Sequence, residues 1–157
     1  MGLDSLKQTL SEIKDQVLGR EHVMGQKPLP RPTADTKPFW DAVSAGELKL
    51  PKCKACEKLH YFPRPFCPYC FSWDLEWVRC SGRGTIYSYV INHRPAPGFE
   101  DDGPYVIAVV ALEEGPRMMG NMVGIEPDPE LIPVDLPVEI VFEHIDEQVS
   151  MFKFRPV

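Results

Sequence analysis

Four cysteines carry the clearest chemistry in this chain. Cys53 with Cys56, and Cys67 with Cys70, form two Cys-x-x-Cys pairs separated by ten residues. In each pair a tight turn after the first cysteine aims both sulfurs and the backbone amides at one point, and four such thiolates complete a tetrahedral Zn²⁺ shell. The pattern predicts one zinc per chain. A closed shell of four thiolates leaves no open coordination position, so the ion holds the fold and does not activate a water. Disulfides are the first competing reading, but nothing else in the chain looks secreted. A redox Cys-x-x-Cys is the second, and it lacks a surrounding βαβ pattern. Residues 57–66 carry Leu59, Tyr61 and Phe62, then Pro63 and Pro65, enough for a short hairpin that returns the chain to the second pair. Metal binding in small zinc peptides contributes on the order of 10 kcal/mol of folding free energy. A ribbon of this size is therefore expected to unfold without its ion.

The remaining side chains offer little catalysis. There is no Gly-x-Ser-x-Gly elbow and no phosphate loop, and Gly82-Arg83-Gly84 lacks the third glycine and following helix of a dinucleotide fingerprint. His22, His60, His93 and His144 are scattered, and a lone histidine is more often a satisfied polar residue than a general base. Cys80 stands apart from the metal set and reads as a small buried hydrophobe. Glu100, Asp101 and Asp102 sit in a Gly/Pro loop and read as solvated surface. That loop, 92–104, is long for a strand connection, is stiffened by three prolines and presents Arg94 and Phe99. Long ordered loops are disproportionately functional. A guanidinium there can meet phosphate while the ring covers an apolar chain, as at a docking surface or ligand mouth.

The elements that must position these residues follow from periodicity. Leu3, Leu6, Leu10, Ile13 and Val17 recur at steps of three and four, which predicts an amphipathic helix over 3–18, stopped by Gly19. Its apolar stripe docks either on a partner chain or on its own domain. A Pro-rich linker follows at 25–32. Thr36 is expected to cap a helix over 37–45 with Phe39, Trp40 and Val43 on its apolar face and Gly46 at its end. Leu48 and Leu50 begin a strand that feeds the first cysteine pair. After the ribbon, strands are expected at 75–80, 85–92, 105–112, 118–123, 138–142 and 149–154, with the glycines of 81–84 bending or bulging one long coiled strand. Strands in succession without long intervening helices predict a mainly β chain, closing as a five-stranded barrel of the oligonucleotide/oligosaccharide-binding (OB) type. The expected division is a helical segment at 1–46, a rubredoxin-like zinc ribbon at 47–74 and the OB-fold domain at 75–157.

Composition bounds the partners. At 157 residues the chain can bury about 70% of its unfolded surface, enough for one core plus a small metal module. With 17 basic against 23 acidic residues the net charge is −6, which argues against a partner held by phosphate neutralisation. No apolar run reaches the roughly 18 residues of a membrane span, and the N-terminus lacks a signal-peptide core. The expectation is a cytoplasmic protein with no membrane and no nucleic-acid partner.

Taken in order, these residues resemble one family: the zinc-ribbon plus OB-fold proteins known as domain of unknown function thirty-five, which accompany thiolase-superfamily enzymes. The resemblance runs from Phe39-Trp40 through the ribbon with Pro63-Arg64-Pro65-Phe66-Cys67-Pro68, then Leu75-Glu76-Trp77, Ser81-Gly82-Arg83-Gly84-Thr85 and Tyr87-Ser88. It continues through His93-Arg94-Pro95, Pro97-Gly98-Phe99 and Pro104-Tyr105 to Phe154-Arg155-Pro156. It implies a non-catalytic subunit of a thiolase-like enzyme that handles acyl-CoA, by acyl transfer or by retro-aldol cleavage of steroid side-chain thioesters. The implied assembly is a heterodimer that pairs again through the partner's own two-fold, with acyl-CoA at or near the interface and the loop bearing His93, Arg94 and Phe99 facing it. The chain departs from the family after each cysteine pair, where glycine is usual and Glu57 and Phe71 stand instead. The rival reading is a stand-alone OB module for single-stranded nucleic acid, which needs a basic groove interleaved with rings such as Tyr87, Tyr89 and Phe99.

Overall fold

The computed structural model describes residues 27–145 and 149–157. The helix expected over 3–18 lies outside them. The first described element, α1 (Lys37–Ser44), buries Phe39, Ala42 and Val43. It stops where Gly46 takes a φ of +72°. There the Glu47 N–H reaches the Ala42 carbonyl and the Gly46 N–H that of Val43, so two carbonyls left over at the helix end are satisfied. Thr36 does precede the helix, but its hydroxyl does not cap it. The oxygen accepts instead from the Thr33 N–H at 2.9 Å and so closes the preceding turn.

Two sheets follow. β1 (Leu48–Cys53) and β2 (Leu75–Cys80) pair antiparallel, Leu48 opposite Cys80 and Cys53 opposite Leu75. The second sheet has the order β5-β4-β3-β6-β7, formed by β3 (Arg83–Asn92), β4 (Tyr105–Leu112), β5 (Arg117–Asn121), β6 (Pro137–His144) and β7 (Ser150–Pro156). A parallel bridge from Met122 to Phe154 joins the two edges, and the sheet becomes a nearly closed five-stranded barrel. Ile86, Val106, Ala108, Val110, Met118, Val138 and Phe154 fill it. β4 shows the alternation that predicts such a wall, with every second residue from Val106 to Leu112 buried.

The glycines at 82 and 84 do more than bend one strand. Gly82 has a φ of +73°, so β2 ends before it and β3 begins after it, each in a different sheet. A side chain at Gly82 would run into Ile140, and one at Gly84 into the carbonyl of Ala111. Only glycine lets β3 come this close to both neighbours. The hairpin expected within 57–66 is reduced to a single bridge, Lys52 to Leu59. Pro63 and Pro65 have no N–H to continue a ladder. Phe39 joins the parts: its fully buried ring lies 5.9 Å from Tyr61 in the ribbon segment and 5.9 Å from Phe152 on β7.

Candidate metal centre and the 92–104 loop

β1 delivers Cys53 as its last residue, and the chain then turns so that the Glu57 N–H donates to the Cys53 carbonyl at 2.8 Å. The second pair repeats this turn: the Phe71 N–H donates to the Cys67 carbonyl at 2.9 Å. In both, the residue after the second cysteine is left-handed, Glu57 at φ +60° and Phe71 at +62°. The turn that glycine would adopt freely is therefore kept without glycine. The Lys54 N–H donates to the Asp74 carbonyl at 3.0 Å and ties the first turn to the chain leaving the second.

These turns bring the four sulfurs within 4.8 Å of one another. Cys53 Sγ lies 3.5 Å from Cys70 Sγ, and Cys56 Sγ 3.6 Å from Cys67 Sγ. A tetrahedron with metal–sulfur bonds of about 2.3 Å has edges of about 3.8 Å, so the cluster fits one ion with little adjustment. The amides favour thiolate at the first cysteine of each pair. The Cys53 thiol is drawn down to about 7, chiefly by the Cys56 N–H, with the Ala55 N–H adding to it. Burial pushes Cys67 up, but the N–H groups of Tyr69 and Cys70 carry it below the ordinary thiol range. Cys70 is pushed up to about 12: the Ser72 N–H acts against this, but Cys53, burial, Cys56 and Cys67 outweigh it. Cys80 lies outside the cluster, buried on β2, its thiol pushed up to about 11 by burial and then by the charge of Glu114.

His60 sits in the segment between the pairs, 2% exposed, and neither ring nitrogen makes a hydrogen bond of ordinary geometry. Burial lowers its pKa against an opposing pull from the Arg64 backbone, so the ring is held neutral.

The 92–104 loop is held by contacts within it and to Tyr105, and by Lys27 from far along the chain. Asn92 donates through Nδ2 to the Tyr105 hydroxyl at 2.7 Å and accepts at Oδ1 from the Arg94 N–H at 3.0 Å. Phe99 is half-buried, its ring 6.2 Å from that of Tyr105, and Lys27 Nζ sits 5.6 Å above it while pairing with Asp102 at 2.7 Å. His93 and Arg94 are exposed. The guanidinium of Arg94 has no hydrogen bond or ion pair with any described residue, so the hydrogen bond at this position belongs to the backbone. Among the described residues no hydrogen bond, ion pair or ring contact links His93, Arg94 or Phe99 to the four cysteines. The sequence reading passed over a third feature, the exposed rings of Tyr69, Phe71 and Trp73 around the second cysteine pair. The signal was Phe71 standing where a glycine suits the turn.

A zinc ribbon of four clustered cysteines leading directly into an OB barrel defines the class. The model of the ChsH2 rubredoxin-like zinc ribbon domain matches residues 40–76, and that of the ChsH2 C-terminal OB-fold domain matches 77–143. A "DUF35 domain-containing scaffold protein" of Methanocaldococcus jannaschii is 34% identical over 68% of this chain and 79% of its own length. The chain belongs to this DUF35 family. The solved "Ltp2-ChsH2(DUF35) aldolase" contains a chain 37% identical to it, with a TM-score of 0.71 over 81% of this chain and 98% of that one. A "Probable enoyl-CoA hydratase alpha subunit" of Thermomonospora curvata is 37% identical over 83% of this chain, which spans 40% of that relative's length. A "Benzoylsuccinyl-CoA thiolase subunit BbsA" of Thauera aromatica is 31% identical over 51% of this chain and 54% of its own. Among the described residues no helix is long and apolar enough to cross a membrane.

Proposed function

We propose that this chain is a non-catalytic accessory subunit of a thiolase-fold enzyme acting on acyl-CoA thioesters, by acyl transfer or by retro-aldol cleavage, including that of steroid side chains. It works in the cytoplasm as one half of a heterodimer that pairs again through the partner, and the acyl-CoA passes near the loop bearing His93, Arg94 and Phe99. The observation that carries this reading is the correspondence of 81% of this chain with 98% of a chain of the Ltp2-ChsH2(DUF35) aldolase. The names of the hydratase and thiolase-subunit relatives point to the same class of assembly. Cys53, Cys56, Cys67 and Cys70 hold one zinc, which fixes the ribbon and, with no position left for a water or substrate, takes no part in the reaction. The barrel and loop present a rigid surface to the partner, and the reacting groups are the partner's.

Native co-purification with mass identification of whatever accompanies the chain tests the reading. A thiolase-superfamily protein should come down in equimolar amount. The partner-free chain should neither cleave nor condense an acyl-CoA thioester. Turnover that tracks substitutions in this chain alone would overturn the assignment.

A further inference from the structure

Phe71 combines two unfavourable features. A bulky residue at positive φ is an outlier; the turn that closes the second cysteine pair holds the backbone there, but it requires no ring. Phe71 is 71% exposed, so burial in this chain does not offset the strain. Trp73 is 72% and Tyr69 54% exposed beside it, and Phe66 holds the group together, 6.3 Å from Phe71 and 5.6 Å from Trp73. The ribbon therefore ends in a preformed aromatic platform. An open cleft of about 410 Å³ separates it from the β4–β5 turn, lined by Glu57, Lys58 and Tyr69 on the ribbon side and Glu114 on the barrel side. Lys58 is engaged, its Nζ 5.0 Å over the Tyr69 ring. The Glu57 carboxylate is exposed and makes no hydrogen bond or ion pair with any described residue. Glu114 Oε2 is closed off from solvent with no partner, while Oε1 accepts from the Ser81 N–H. Neither carboxylate forms an ion pair with a described residue, and the one cation of the cleft lining, Lys58, is drawn over the Tyr69 ring.

We propose that the platform and this cleft form a docking surface for the acyl-CoA enzyme of the preceding section. The partner lays an apolar side chain on Phe71 and Trp73 and sends a basic one, arginine or lysine, to the exposed Glu57 carboxylate, with the charge of Glu114 across the cleft adding to the attraction. The inference rests on that reading of the function. A second copy that meets this platform tip to tip is too small an occupant. With about 200 Å² per aromatic side chain, the three rings expose about 400 Å², so a tip-to-tip dimer would bury about 800 Å² in all, below the roughly 1,000 Å² of a specific interface. A larger partner that also enters the cleft meets the requirement, and aromatic anchors with a paired charge are the composition of interface hot spots.

The test uses the enzyme that co-purifies with the full chain, with affinities measured for wild type, Phe71→Gly, Trp73→Ala and the pair Glu57→Gln with Glu114→Gln. Phe71→Gly is the decisive variant, because glycine relaxes the left-handed backbone as it removes the ring. Its Kd should rise roughly tenfold or more while zinc content is kept and the thermal midpoint does not fall. The double glutamine variant should weaken binding and flatten its salt dependence, while the side-chain carbonyl introduced at position 114 still accepts from the Ser81 N–H. Kd values within about twofold of wild type for all variants would overturn the docking surface and leave the accessory-subunit reading standing. Co-purification of no acyl-CoA enzyme overturns both.

Discussion

Cys53 and Cys70 come from opposite turns of the ribbon, yet their sulfurs stand 3.5 Å apart, and with Cys56 and Cys67 they make a cluster of four within 4.8 Å, the arrangement of one tetrahedral zinc shell. We therefore expect about one zinc per chain by elemental analysis. Cys67→Ser should lose the metal and unfold the ribbon, whereas Cys80→Ser, outside the cluster, should keep it. Zinc retained by the Cys67 variant would sink the assignment.

His60 gives the ribbon a pH dependence of its own. Its folded pKa is lowered by burial from the ordinary 6.5, so acid protonates the unfolded chain first. The contribution is complete above about 6.5 and is lost as pH falls below it. His60→Leu removes a buried ring that makes no hydrogen bond of ordinary geometry with a described residue, and it should change stability by less than about 1 kcal/mol at pH 7.5. Urea unfolding between pH 7.5 and 5.5, with zinc content followed in parallel, should show a flatter profile for the variant. Equal slopes in variant and wild type would remove His60 as the cause.

Two glycines separate backbone strain from collision. Gly46 is left-handed with open space around it, so Gly46→Ala should cost about 1–2 kcal/mol. A Cβ at Gly84 meets the Ala111 carbonyl, which is backbone of the neighbouring strand, and β3 has β6 on its other side at Val138. Gly84→Ala should cost more, roughly 3 kcal/mol. Chemical denaturation measures both, and equal costs would show that β3 and β4 can separate freely.

Local pattern carried the sequence reading where the determinant is local. The strand over 105–112 was legible to the residue, because its alternation is set by which side chains face the core. The strand over 75–80 was equally legible, but its sheet was not: pairing with β1 depends on Gly82 turning left-handed, and no periodicity reports that. Thr36 has the composition of a cap, but Thr33, three residues earlier, competes for its hydroxyl. The four cysteines were readable from spacing alone. The anchoring of the 92–104 loop was not, since Lys27 and Asp102 meet across 75 residues. The aromatic platform was missed because sequence shows which residues are apolar and not which of them lack a neighbour to bury them.

The 92–104 loop gives the last prediction. Phe99 is committed to Tyr105 and Lys27, so its removal would loosen the loop as well as any contact it makes outside. Arg94 is different. Its backbone N–H holds the turn through Asn92, and that bond survives a change to alanine; the guanidinium itself is exposed and pairs with no described residue. Arg94→Ala should therefore leave zinc content and thermal midpoint unchanged. If the guanidinium meets a phosphate of the thioester or a carboxylate of the partner, the variant should lower complex affinity or the partner's kcat/KM by about 1–3 kcal/mol, more steeply at low salt. His93→Ala, one residue away and also exposed, should likewise keep zinc content and thermal midpoint, and any loss of affinity or turnover in it reports contact by the neighbouring ring. An effect confined to KM for the thioester places Arg94 on the substrate, and one confined to assembly places it on the partner. Full assembly and full turnover in both variants would move the functional surface away from this loop.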